Sequence, residues 1–181
     1  MRAFFDIDTQ LDFLYPAGAL YTPGAESVIP AVAALNQYAG RHGIPLISTV
    51  CSHEEAAEEF KVWPPHCVAG TWGQRKPAAT VFSGQIVPAQ IVIEKNELDL
   101  FSNPRTEALL DSYPGAECVV YGVLTEYCVR LAIMGMLRRG RKVSLVTDAI
   151  YHLSESAAAA TMSEFLAAGG VCVEKNSILG H

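Results

Sequence analysis

The sequence is short of positive charge, has no long apolar run, and carries an odd number of cysteines. Thirteen Lys and Arg stand against nineteen Asp and Glu, for a formal net charge of -6. Nucleic acids and anionic membrane surfaces reward clustered cations, so neither is the expected main partner. The nearest basic cluster, RRGRK at 138–142, reads as the solvated end of a helix, where cations suit the dipole. No stretch approaches the roughly 18 consecutive apolar residues of a membrane span. The opening MRAFFDIDTQ holds one Arg and two acids, which is not the pattern of a secretory signal. Five cysteines, at 51, 67, 118, 128 and 172, argue against a disulfide framework, and reduced thiols in a cytoplasmic protein are the expectation. Repeats, low-complexity tracts and linkers are also missing. Half of the residues are hydrophobic, so residues 1–181 are expected to form a single compact domain with a sizeable core.

What is present is an alternation of apolar runs with helix-like stretches. RAFFDID (2–8), IPLISTV (44–50), QIVIEK (90–95), AECVVYG (116–122), KVSLVTDA (142–149) and GVCVEK (170–175) read as six strands. Apolar spacing near 3.6 predicts helices over 25–41, 126–139 and 155–168, the last capped by Ser154 and stopped by Gly169-Gly170. A shorter helix over 104–112 opens on Pro104. Strands apolar on both faces and alternating with helices imply an α/β fold with a parallel sheet covered on two sides. Residues 51–89 break the rhythm with Pro64, Pro65, two Trp, two His and several Gly. So long an irregular insertion after a strand is expected to serve function.

Parallel α/β sheets bind ligands beyond the C-terminal strand ends, where strand order reverses. The residues expected there are Asp6, Asp8 and Asp12 after the first strand, Cys51 and His53 after the second, and Glu94 and Lys95 after the third. The fourth strand leads through Thr125 to Cys128, and the fifth ends in Asp148. With Thr125 as helix cap, Cys128 falls in the first helical turn, where the dipole and unpaired amides favour a thiolate and an oxyanion. A base such as Asp8, with Lys95 holding it ionised, would activate that thiol. The position by itself equally suits a small buried apolar residue. Cys118 and Cys172, in valine-rich strands, read as core.

Four segments together resemble the cysteine hydrolases of the isochorismatase-like superfamily, particularly its nicotinamidase (pyrazinamidase) branch. They are DIDTQLDF (6–13), WPPHCVAGTWG (63–73), IEKNELDLFSNP (93–104) and YGVLTEYCVRLA (121–132). The resemblance implies a three-layer α/β/α fold with a mostly parallel six-stranded sheet in the order 3-2-1-4-5-6. It implies an Asp8–Lys95–Cys128 triad, and an oxyanion hole from the amides of Leu124 and Cys128 after a cis Val123–Leu124 bond. It implies hydrolysis of nicotinamide to nicotinate and ammonia through a thioester, a step in NAD salvage. Phe13 and Trp63 match residues that sandwich the flat ring, Asp12 supports the loop at Asp8, and Tyr127 faces the pocket. The family's metal positions read Cys51, His53, Glu59 and His66 here, with Cys and Glu where Asp and His are usual. That set implies a divalent cation with zinc favoured. Oligomers are common in the family, so a dimer or tetramer is an expectation.

Alternatives stay open at this level. The same scaffold without metal hydrolyses other small amides, ureido compounds or vinyl ethers. A degenerate relative would bind without catalysing. The Asp6-x-Asp8 pair after an apolar strand also resembles haloacid-dehalogenase phosphatases, with Asp6 as nucleophile, Asp8 as acid/base, Lys95 as phosphate partner and Asp148 as magnesium ligand. That reading leaves the Cys128 motif and the histidines unexplained, and Gln10-Leu11 stand where a Gly-containing turn is usual. Trp72, His42, His152 and His181 receive no role.

Overall fold

The computed structural model of the chain describes residues 1–82 and 90–180, so the end of the insertion (83–89) and His181 lie outside the described residues. Six strands form one sheet: β1 (Arg2–Ile7), β2 (Leu46–Cys51), β3 (Gln90–Lys95), β4 (Glu117–Val123), β5 (Lys142–Tyr151) and β6 (Val171–Val173). Their order is β3-β2-β1-β4-β5-β6, and every neighbouring pair is parallel. This is the doubly wound order, with β1 and β4 side by side at the reversal point.

Both faces of the sheet are packed, as the strand composition requires. On β1, Phe5 and Ile7 face one cluster with Leu110, Ile133, Met136 and Phe165, while Phe4 faces another with Leu35, Val119, Tyr121 and Ile178. The first face carries α3 (Arg105–Asp111), α4 (Arg130–Arg138) and α5 (Glu155–Ala167). The second carries α1 (Leu11–Leu14), α2 (Ile29–Arg41) and α6 (Lys175–Leu179). Each fully buried Leu, Ile or Phe contributes about 1.5–3 kcal/mol. Gly122 at the end of β4 has φ +124°, and a Cβ there would run into the Ile7 carbonyl. That close approach lets β4 and β1 end level with one another.

Two sequence expectations change in detail. Residues Thr125–Val129 form a π-helical turn before α4 rather than its first α turn. Leu124 is the cap, its carbonyl accepting from the Tyr127 amide at 3.1 Å and the Val129 amide at 3.2 Å. Thr125 is not the cap: its hydroxyl donates to the Tyr151 carbonyl at 2.9 Å, tying the turn to β5. β5 also runs three residues past Asp148 to Tyr151, because its register against β4 shifts between Val120 and Gly122. Ser154 does cap α5, accepting from the Ala157 amide at 3.3 Å.

Candidate active site

Asp8 follows β1 with φ 48°, a conformation unusual for a residue other than glycine. Thr49 on the neighbouring strand fixes it. The Asp8 amide donates to the Thr49 carbonyl at 3.2 Å, and the Thr49 hydroxyl donates to Asp8 Oδ1 at 2.6 Å. Lys95, the last residue of β3, reaches across the end of β2 to place Nζ 2.7 Å from Asp8 Oδ2, both side chains being wholly buried. Nζ also donates to the Glu97 carbonyl at 3.0 Å and lies 3.7 Å from Cys128 Sγ. Three strand ends distant in sequence thus bring Asp8, Lys95 and Cys128 together.

Burial pushes the Asp8 carboxyl upward, but the charge and hydrogen bond of Lys95 outweigh it and hold the group below the usual carboxylate value. Burial likewise works against charge on Lys95, and Asp8 outweighs it, holding the ammonium protonated well above the ordinary range. The pair is therefore ionised at neutral pH. Lys95 also touches Cys51 Sγ at 3.2 Å, closer than it comes to Cys128. The neighbouring Cys128 thiol brings Cys51 down to about 6, while Cys51 and burial push the Cys128 thiol up.

These groups open onto a cavity of about 420 Å³ lined by Phe13, Leu20, Trp63, His66, Leu124, Tyr127 and the two thiols, among others. Trp63 meets Tyr127 edge to face at 5.8 Å, and Phe13 lies 5.6 Å from His66. Among its described lining residues none is Lys or Arg, so a neutral, largely apolar ligand suits it. The Val123–Leu124 peptide bond at its edge is cis. Asp12 braces two walls: Oδ1 accepts from the Ala19 amide at 2.8 Å and Oδ2 from the Cys67 amide at 2.6 Å.

His53, Glu59 and His66 gather at one side, their ligand atoms all within 4.8 Å of one another. Glu59 lies 3.7 Å from His53 Nε2 and 3.6 Å from His66 Nε2. Neither ring nitrogen of the buried His53 has a hydrogen-bond partner, a costly state that a cation would relieve. His66 Nδ1 lies 2.8 Å from the Pro64 carbonyl, which turns a bare Nε2 toward the group, the usual outer-shell arrangement of a metal-bound imidazole. The residues fit a divalent ion. Cys51, expected among the ligands, stands outside this group. It pairs in register with Lys95 on β3, and its sulfur turns to that ammonium instead.

The phosphatase set does not assemble. Asp6 is buried away from the cavity, accepting from Thr9 at 2.6 Å and Asn36 at 2.9 Å and pairing with Lys76 at 3.2 Å. Asp148 accepts from the Lys175 amide at 2.7 Å, at the start of α6. Glu94 is exposed on β3. Sequence reasoning missed Gln10, whose side chain clamps the end of β2 by donating to the Cys51 carbonyl at 2.9 Å and accepting from its amide at 2.7 Å. It also missed Leu98 and Leu153 in the cavity wall, for which the sequence offers no signal beyond a loop position.

The family model for the isochorismatase domain matches residues 2–177. The nicotinamidase of Saccharomyces cerevisiae is 24% identical over 189 residues, covering 82% of this chain and 87% of that protein. The crystal structure of a Pyrococcus horikoshii pyrazinamidase in complex with zinc is 26% identical with a TM-score of 0.82, covering 96% of this chain and 98% of that one. PnC1 of L. infantum, in complex with nicotinate, is 25% identical with a TM-score of 0.84, covering 97% and 93%.

Proposed function

The chain belongs to the isochorismatase family, and on that premise we propose that it is a cysteine-dependent amidohydrolase converting nicotinamide to nicotinate and ammonia. The observation that carries this reading is the buried Asp8–Lys95 pair with Lys95 Nζ 3.7 Å from the sulfur of Cys128, which lines a mostly apolar cavity. Asp8 accepts the Cys128 proton as the sulfur attacks the amide carbonyl. The carbon becomes tetrahedral, and its oxyanion is held by the amides of Leu124 and Cys128. Asp8 then returns the proton to the leaving nitrogen, so ammonia departs and a thioester remains. Water, deprotonated by Asp8, adds to the thioester, and the carboxylate leaves as Cys128 recovers its proton. Lys95 keeps Asp8 ionised throughout, and Phe13, Trp63 and Tyr127 enclose the flat ring.

His53, Glu59 and His66 would hold the divalent ion, for which zinc suits two imidazoles and a carboxylate. When bound, the ion supplies a Lewis acid that anchors the pyridine nitrogen of the substrate. The product is a precursor for NAD salvage, and the need for reduced thiols fits a cytoplasmic setting. The whole chain, residues 1–181, would act as one hydrolase domain, with a homo-oligomer compatible with the reading.

The test is ammonia release from nicotinamide and from a panel of ureido and other small amides, with and without Zn²⁺. Wild type is expected to release ammonia from nicotinamide and Cys128→Ser to release none. Full activity in Cys128→Ser would end the cysteine mechanism. Release from a ureido compound alone would move the substrate while leaving the mechanism.

A further inference from the structure

Hydrolysis as derived above uses one sulfur, yet the site holds two. Cys51 closes β2 directly beside Lys95 on β3. The one ammonium of Lys95 contacts both sulfurs, Cys51 at 3.2 Å and Cys128 at 3.7 Å. Both thiols are free and buried, and both line the same cavity. The cavity wall is mostly apolar, with Glu59 the one acidic residue among its described lining residues, and a small neutral oxidant fits it. The remaining three cysteines differ: burial pushes the Cys118 thiol up to about 11, raises Cys67 further and raises Cys172 as well, so none offers a ready thiolate.

We propose that Cys51 and Cys128 form a peroxide-reactive dithiol, a modification site at which a hydroperoxide joins the two sulfurs as a disulfide. The inference rests on the reading of Cys128 as the attacking sulfur. Cys128 passes its proton to Asp8 and attacks one peroxide oxygen. An S–O bond forms, the O–O bond breaks, and the departing hydroxide takes the proton from Asp8 and leaves as water. The sulfur is oxidised to a sulfenic acid and the peroxide is reduced. Cys51 then attacks the Cys128 sulfur. The S–S bond forms, the S–O bond breaks, and hydroxide leaves with the Cys51 proton as a second water. The net change is two thiols and one peroxide to one disulfide and two waters. Hydrolysis stops while the bond stands, and a thiol reductant restores it. Cys51 thereby keeps Cys128 from the irreversible sulfinic and sulfonic states.

The experiment treats the intact protein with graded hydrogen peroxide, blocks free thiols, and digests it with trypsin without reductant. Residues 42–61 carry Cys51, and residues 106–130 carry Cys118 and Cys128. The expected product is these two peptides linked and lighter by two hydrogen atoms, with fragmentation between Val119 and Tyr127 assigning the link to Cys128. Dithiothreitol should abolish the linked species and return the ammonia-releasing activity. Cys51→Ser should give no link and leave Cys128 carrying two or three added oxygens. Should that variant misfold, the wild-type peptide map decides by itself. Wild-type Cys128 accumulating oxygens without a link, or remaining unmodified while still alkylated by iodoacetamide, would overturn the proposal. The peptide map does not depend on any substrate, so a linked protein that fails to hydrolyse nicotinamide would separate this inference from the proposed activity.

Discussion

Replacing Asp8 by Asn removes the carboxylate and leaves the Lys95 ammonium buried. Both side chains are fully enclosed and 2.7 Å apart, so no solvent is at hand to screen the orphaned charge. Breaking a buried pair by deleting one partner costs about 3–5 kcal/mol. Lys95 keeps two other contacts, the Glu97 carbonyl at 3.0 Å and Cys51 Sγ at 3.2 Å. Those place the expectation at the lower end, about 3 kcal/mol, or a melting temperature lower by roughly 6–12 °C for a chain of this length. Removing both charges is the control. Asp8→Asn/Lys95→Met should be more stable than the sum of the single variants by at least about 1 kcal/mol, since contacting charges do not act additively. Urea unfolding of the four proteins, compared by midpoint at constant slope, gives the cycle. A single-variant cost below about 0.5 kcal/mol, or additivity within that margin, would refute the claim that burial makes this pair interdependent.

The pH dependence follows from the same pair. Asp8 titrates below an unfolded carboxylate, so the wild-type advantage over Asp8→Asn should be full above about pH 3.9 and vanish as pH falls through the lowered folded value; an advantage that grows on acidification would contradict it. After chelation, adding Zn²⁺ to 100 times its dissociation constant should stabilise the protein by about 2.7 kcal/mol, a rise of roughly 5–11 °C. His66→Ala should lose that rise and Cys51→Ser should keep it, because Cys51 stands outside the His53–Glu59–His66 group; thermal melts of the three proteins decide. Gly122→Ala should cost at least about 2 kcal/mol, since its Cβ meets the Ile7 carbonyl at φ +124°. An unchanged urea midpoint would show that the two strands can part without loss.

The sheet was legible in the sequence because apolar runs such as IPLISTV and AECVVYG state burial on both faces directly. Asp8, Lys95 and Cys128 could be picked out because each ends or closely follows a strand, and in a doubly wound sheet the strand ends converge. What stayed hidden depends on side-chain direction rather than position. Cys51 is sequence-adjacent to the histidine group, yet its register beside Lys95 brings its sulfur within 3.2 Å of that ammonium. Thr125 has the composition of a cap, but the wider π turn hands that place to Leu124 and frees the hydroxyl for Tyr151. Asp6 lies only two residues before Asp8, but Asp8 stands beyond the end of β1 with φ 48°, so their directions differ, and the Lys76 partner of Asp6 arrives from a long insertion without periodicity.

The Asp12 brace has a consequence for how such a pocket changes over generations. Its carboxylate grips the walls through the main-chain amides of Ala19 and Cys67, and backbone amides are common to every residue except proline. The side chains on those walls can therefore be exchanged without loosening the frame that holds them. Diversification of what the cavity accepts is uncoupled from the integrity of its shape, and a single carboxylate carries the inheritance of that shape.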